Sequence, residues 1–285
     1  MLEATMLKVR WGVLGVGRAG KARVDALRAD PRCDLVGAWR GDLSGLGLQA
    51  FHSYADMIQH VDAVAICSPD LFHADQVHTA LTSRRHVVCE FPLASSAREA
   101  SNLYALSIAY DRVLHVEHIE LLTPAAGWLR QRAKGRNLLG GAVRFTCGPR
   151  PDVASPAHAN IARLHRIIDA VGEPQGVRVE RCNPEHLSLI LDYPEGAELT
   201  VECRMEEGLE RHMEMVLEFE DGNLRQEGAQ VFEDGEEVEL SEATGLFKAD
   251  QLAATSAILD GASSYASMDQ VLAALGLADT IVGQA

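Results

Sequence analysis

The sequence predicts an α/β domain with a doubly wound parallel sheet, followed by an α+β domain with a large open antiparallel sheet. Three observations carry that prediction. A short β-branched run leads directly into Gly15, Gly17 and Gly20, strands and helices alternate from there to Val116, and the pattern changes near residue 122 to successive strand-like runs. Alternation of strand and helix builds a parallel sheet covered on both faces, whereas strands divided by turn residues build an antiparallel one.

In the first part, residues 9–14 read as a strand and residues 18–28 as a helix with Ala22, Ala26 and Leu27 at helical spacing. Asp30-Pro31 ends that helix before a second strand at 35–39. Helices at 54–60, 73–82 and 97–110 then alternate with strands at 63–67, 86–89 and 113–116. In the second part, strand-like runs occupy 142–147, 177–182, 187–193, 198–204, 213–220 and 231–240, and one helix, 158–171, is inserted after the first of them. Pro194-Glu195-Gly196, Asp221-Gly222-Asn223 and Asp234-Gly235 supply turn signals. From Lys248 the chain returns to helix. The predicted division is 1–122, 123–247, and a terminal helical segment 248–285 that packs back on the first domain.

The 285 residues, 47% hydrophobic and 24% charged, suit two compact domains. No apolar run reaches the roughly 18 residues of a membrane span, and the opening residues, with Glu3, are too short and wrongly charged for a signal peptide, so a cytoplasmic location is expected. Cys33, Cys67, Cys89, Cys147, Cys182 and Cys203 lie too far apart for zinc or redox motifs and read as reduced thiols. With no nucleophile elbow and no His–carboxylate cluster at ligand spacing, neither a metal nor a covalent intermediate is expected. A net charge of −15 argues against nucleic-acid binding. It leaves small anions open, because these respond to local helix N-termini and a few arginines.

The glycine motif gains its meaning from its place between a strand and a helix. Gly15 makes the turn, Gly17 admits the backbone to a pyrophosphate, Gly20 allows close packing, and the N-terminus of the helix, with Arg18 and Ala19, meets the negative charge. This is the fingerprint of a Rossmann dinucleotide site. At the end of the second strand stands Trp39-Arg40-Gly41-Asp42. Arg40 can pair with a 2′-phosphate or stack on adenine, and Asp42 can instead serve the ribose of NAD; the reading favours NADPH, with NADH as the alternative.

The run Ile66-Cys67-Ser68-Pro69 with His73, and His86-Val87-Val88-Cys89-Glu90-Phe91-Pro92, resembles the glucose-fructose oxidoreductase and inositol dehydrogenase (Gfo/Idh/MocA) superfamily. The resemblance implies a Rossmann domain followed by an open sheet whose face forms the substrate site, and it implies that Ser68, Pro69, His73 and Glu90 belong to the cofactor site. Many sugar dehydrogenases of that superfamily carry Glu-Lys-Pro, with the lysine assisting proton transfer; here Phe91 takes its place and can neither donate nor accept a proton. The biliverdin reductase branch has Glu-Tyr-Pro there, one hydroxyl away from Glu90-Phe91-Pro92. Similarity to that branch continues nearly full length, through Gly15–Gly20, Val113-Leu114-His115, Glu117-His118-x-Glu120-Leu121-Leu122, Phe145-Thr146, Arg163-Leu164, Asp250-Gln251 and Leu275-Gly276-Leu277-Ala278.

The resemblance implies hydride transfer from the nicotinamide to C10 of biliverdin and a proton added at a pyrrolic nitrogen, a reaction that asks the protein chiefly for orientation and charge placement. Glu117, His118 and Glu120 fall just beyond a parallel strand, where ligands bind and where two carboxylates beside an imidazole can retain a proton; with Glu90 and Phe91 they are the candidate catalytic residues. Arg163 and Arg166, three apart on the inserted helix, are candidates for the propionates of a linear tetrapyrrole, each charge-assisted bond contributing about 1.5 to 3 kcal/mol. His165 points elsewhere, and His158 reads as a loop residue. Two further readings stand beside this one: a dehydrogenase or imine reductase for another small molecule, and a non-catalytic dinucleotide-binding regulator. Subunit contacts through the sheet face occur in the superfamily; the sequence itself does not specify an oligomeric state.

Overall fold

The computed structural model describes residues 8–150, 153 and 155–285; the opening segment read above lies, apart from Lys8, outside them. The chain divides into two compact units, residues up to 119 with 244–268, and residues 120–243 with 269–285.

In the first unit the elements follow in the order β1 (Val9–Val16), α1 (Arg18–Ala29), β2 (Cys33–Gly41), β3 (Gln49–Ala50), α2 (Tyr54–Gln59), β4 (Ala63–Ile66), α3 (His73–Thr82), β5 (His86–Glu90), α4 (Ala97–Ala109) and β6 (Leu114–Glu117). They form one parallel sheet, ordered β3-β2-β1-β4-β5-β6, and the two-residue β3 is its only unforeseen strand. All four residues of β4 are buried, which is why it reads as a continuous apolar run rather than an alternating one. Ser53 and Ser96 cap α2 and α4 by accepting from the backbone N–H groups of Asp56 and Glu99. Trp11, Val13, Val24, Leu27, Ala65 and Val88 fill the core between sheet and helices. Because β1 lies between β2 and β4, the chain leaves it in opposite directions, and the crevice at its carboxyl end is the topological switch point.

The second unit begins with α5 (Pro124–Ala133) and β7 (Leu138–Cys147), continues through α6 (Pro156–Ala159) and α7 (Ile161–Val171), and then forms β8 (Gly176–Asn183), β9 (His186–Asp192), β10 (Glu198–Met205), β11 (His212–Phe219), β12 (Gly222–Glu227), β13 (Gln230–Glu233) and β14 (Glu236–Val238). Its eight-stranded sheet runs β14-β13-β12-β11-β7-β10-β9-β8. Every pair is antiparallel except β7 with β10, which are parallel. Alternate residues such as Leu187, Leu189, Leu199, Val201, Met215 and Leu217 face the core. The opposite side carries ion pairs such as Arg144–Glu214 and Arg178–Asp192, each 2.9 Å.

Several expectations need correction here. The helix expected at 158–171 is two helices, with Asn160 as the junction, its side-chain amide donating to Pro156 O at 2.9 Å. The run at 231–240 is a hairpin of β13 and β14, turned by Asp234 (φ 52°) and Gly235 (φ 85°). α5 and β12 carried no sequence signal strong enough to be read: β12 is mostly polar and buries only Leu224 and Gln226. The terminal helical segment is also not one piece. α8 (Leu246–Asp260) packs on α1, Gly261 ends it in the left-handed region (φ 67°), and α9 (Met268–Gln284) lies almost wholly in the second unit, where Gln284 donates to Val177 O. Among the described residues no helix is long and apolar enough to cross a membrane.

Candidate functional site

Three groups of residues bear on function, two in the first unit and one in the second. The first is the glycine turn. Gly15 has φ 86°, and a Cβ there would meet Cys67 O at 2.9 Å, so only glycine makes this turn without strain. At Gly20 a Cβ would meet Gly15 O at 2.0 Å, whereas at Gly17 it would meet nothing within 4 Å and would project into open space. α1 starts at Arg18 with no side-chain cap and no acidic residue in its first turn. Its leading N–H groups and the dipole of α1 are therefore left for an anion, and the open face at Gly17 fits a pyrophosphate.

At the end of β2, Arg40 adopts φ 72° and sets its guanidinium over the rings of Trp39 (5.9 Å) and Phe72 (5.6 Å). Asp42 is engaged locally, accepting from the backbone N–H of Ser44 at 2.9 Å and from its hydroxyl. Ser68 and Pro69 follow β4, and the Ser68 hydroxyl donates to Gln76 Oε1 at 2.5 Å. His73 departs from the expected cofactor role. It is fully buried, with Nδ1 2.7 Å from Pro92 O and Nε2 2.8 Å from Ser68 O, so the ring sits between two loops and whichever nitrogen carries the proton donates to one of them.

The second group lies at the carboxyl ends of β5 and β6, where Glu90 and Glu117 are register partners on neighbouring strands. Burial pushes the Glu117 carboxyl well above its usual range, and the adjacent Glu90 carboxylate reinforces that shift against the pull of Arg23. Arg23, fully buried on α1, stands 3.7 Å from Glu117 and 2.5 Å from Asp250 of α8. Burial acts to raise the Asp250 carboxyl, but Arg23 and the bond from His115 Nε2 (2.8 Å) outweigh it and hold the group well below the carboxylate range. Tyr265 donates to Asp250 at 2.7 Å and accepts from the backbone N–H of His118 at 2.9 Å. The His118 ring stacks on Phe91 with centroids 4.7 Å apart. Sequence reasoning missed Arg23 and Tyr265. For Arg23 a signal existed, since it stands in the apolar stripe of α1 formed by Gly20, Val24 and Leu27.

The third group lines a cavity of about 640 Å³ in the second unit. Glu120 Oε1 accepts from Arg163 at 2.6 Å and also from Arg211. Arg166 donates to Glu120 O at 3.3 Å and to Gln226 Oε1 at 2.9 Å. Phe145 underlies both Arg163 (4.4 Å) and Arg211 (5.8 Å). Arg163 and Arg166 are buried rather than solvated, and burial lowers the pKa of each. His165, between them, is buried too, its pKa lowered to about 4 by burial and by Arg166. Arg211 and Gln226 were not legible as site residues, because each sits in a polar stretch without a motif around it. The six cysteines are free thiols.

The family described as an oxidoreductase family with an NAD-binding Rossmann fold (Gfo/Idh/MocA) matches residues 9–118. Biliverdin reductase A of Mus musculus is 31% identical over 228 residues, spanning 75% of this chain and 77% of that one. Among solved structures, a biliverdin reductase from Synechocystis, in complex with biliverdin and NADP+, superposes with a TM-score of 0.82 at 25% identity, covering 97% of this chain and 98% of that one. The UDP-N-acetylglucosamine 3-dehydrogenase of Acidithiobacillus ferrooxidans superposes with a TM-score of 0.86 at 20% identity over 98% of each chain, a likeness of fold. The chain belongs to the Gfo/Idh/MocA oxidoreductase family and is an NAD(P)-dependent oxidoreductase.

Proposed function

With that family as the premise, we propose that the chain is an NADPH-dependent biliverdin reductase, converting biliverdin IXα, NADPH and a proton into bilirubin and NADP+. The observation that carries the reading is the cavity of the second unit, in which Arg163 and Arg211 converge on the carboxylate of Glu120 and Arg166 stands beside them on its backbone carbonyl. A linear tetrapyrrole brings two propionates and a broad conjugated body. A propionate that replaces Glu120 between Arg163 and Arg211 keeps both guanidiniums paired, so the cost of burying them is already met within the protein. On this reading Glu120 holds the place of the substrate carboxylate rather than moving a proton. The 31% identity to mouse biliverdin reductase A supports the same substrate class.

Bound NADPH supplies the hydride. The Gly15–Gly20 turn and the first turn of α1, with Arg18 and Ala19, hold its pyrophosphate, Ser68 and Pro69 border its site, and Arg40 takes the 2′-phosphate while the Asp42 carboxylate stays with Ser44. Phe91 has no proton to give, and its ring positions His118. The proton added at a pyrrolic nitrogen comes from the Glu90–Glu117 pair, where Glu117 retains one. On this reading the enzyme serves haem breakdown, and a cytoplasmic location is part of the same proposal.

Anaerobic mixing with biliverdin IXα and either NADPH or NADH tests the reading, by loss of the far-red bilin band and growth of bilirubin absorbance. Turnover with NADPH preferred is the expected result. NADPH binding without bilin turnover overturns it, and leaves a reductase of another small molecule or a non-catalytic regulator.

A further inference from the structure

The cofactor and catalytic candidates of the first unit gather at the carboxyl ends of its parallel strands. A different cleft, of about 310 Å³, opens at the other end, beside Val9 at the start of β1 and His86 at the start of β5. Lys8, Arg84, Arg85 and Arg112 all line it. This is a strong local excess of positive charge in a chain with 41 acidic and 26 basic residues. Arginines elsewhere are commonly paired, as in Arg136–Asp221 and Arg144–Glu214, but among the described residues no carboxylate is within ion-pair distance of any of these four.

Their hydrogen bonds leave donors over. Arg112 donates Nε to Arg84 O at 2.8 Å and Nη1 to Asp111 O at 2.6 Å, so both bonds fix the guanidinium without neutralising it. Arg84 adopts φ 60°, a conformation disfavoured for a residue with a side chain, and its guanidinium lies over the Tyr110 ring at 5.7 Å. The Nε atom of Arg85 is buried without a hydrogen-bond partner. A buried unsatisfied donor on a cation is costly unless something accepts from it. Asp62, the one carboxylate on the lining, accepts from the backbone N–H of Arg10 at 3.0 Å and leaves the four cations in excess.

We propose that this cleft is a second ligand site, for a small organic phosphate. Four cations with spare N–H donors match a multiply charged phosphate group, and Ile258 and Leu259 of α8 give the cleft an apolar wall for a carbon body. The cavity is at the small end of the range for metabolite sites, about 300 to 1,000 Å³, which suits a ligand well below the size of a dinucleotide. It stands a strand's length from the glycine turn, so its ligand does not compete with the cofactor.

Isothermal titration of inorganic pyrophosphate into the protein saturated with NADP+, at matched ionic strength, tests this. Saturating NADP+ keeps the probe off the glycine turn, and fixed ionic strength keeps general screening constant. The expected result is one saturable event, weakened at least tenfold in Arg85→Gln, with NADP+ affinity unchanged in the variant. Arg84→Gln, at an exposed position, gives the same reading should Arg85→Gln fail to fold. Absence of saturable binding to the unaltered protein, or equal affinity in a folded variant, overturns the proposal.

Discussion

The two ion-paired groups of this protein are built with opposite ratios. In the first unit a single buried arginine, Arg23, faces the carboxyl groups of Glu117 and Asp250, with Glu90 beside Glu117 on the neighbouring strand. In the second unit a single carboxyl group, that of Glu120, pairs with both Arg163 and Arg211, while Arg166 donates to the Glu120 backbone carbonyl. The difference is instructive, because a cluster short of cations must keep a proton, whereas a cluster short of anions must recruit one. Asp250, gripped by Arg23 and His115, stays ionised, and the surplus falls on Glu117. On the proposed reading, one cluster stores a proton and the other receives an anion.

The largest effect that can break this contrast is expected at Asp250. Asp250→Asn leaves Arg23 buried without its main partner and should destabilise the protein by about 3 to 5 kcal/mol in urea unfolding. A variant as stable as the parent would show that Arg23 does not depend on this pairing. Next comes Arg163→Ala, which removes a charge-assisted contact of about 2 kcal/mol and should raise the KM for biliverdin about 30-fold with a smaller change in kcat. An unchanged KM would dissociate the cavity from the substrate.

Swapping Arg40 for alanine should lower the preference for NADPH over NADH about tenfold, roughly 1.4 kcal/mol, in paired kcat/KM measurements. A smaller effect still, about fivefold, is expected from Glu120→Gln, which frees Arg163 and Arg211 and should lower the KM for the bilin. A rise in KM would mean that Glu120 helps hold the substrate instead of standing in for it. The remaining test sharpens the proton-store half through pH. A carboxyl group raised by burial is protonated below its folded pKa and loses its proton as pH rises through that value, so kcat should fall on the alkaline side. Glu117→Gln should lose that limb of the profile, while the alkaline limb persists if the proton comes from elsewhere.

The two clusters also differ in how far the sequence announced them. Gly15, Gly17 and Gly20 were legible because a tight turn between strand and helix imposes its demands on adjacent residues. Arg163 and Arg166 were legible for a related reason, their three-residue spacing on one helix, together with a resemblance that reached Arg163. The partners of these residues were not. Arg23 meets Asp250 only through the packing of α8 on α1, and Arg211 meets Glu120 only through the pairing of β11 with β7, so neither encounter leaves a local pattern. His73 shows the other side of this, since the run around it marks the family correctly while both its ring nitrogens face backbone carbonyls inside the fold. β12 went unread because its polar residues carry no period-two apolar signal, and the break at Asn160 was masked by helix-forming residues on both sides.

The division of the chain has a consequence for synthesis. The parallel-sheet unit starts at the N-terminus, yet residues 244–268, including Asp250 and Tyr265, complete it only after the whole of 120–243 has been made. At about 5 to 20 residues per second, the interval between Arg23 and Asp250 leaving the ribosome is on the order of 10 to 45 s, far longer than a helix or hairpin needs to form. Throughout that interval Arg23 has no Asp250 to pair with, and α1 has no α8 to cover it. The unit that emerges first is therefore the one that must wait, and a fragment ending near residue 119 carries an arginine designed for burial with its chief counter-ion missing.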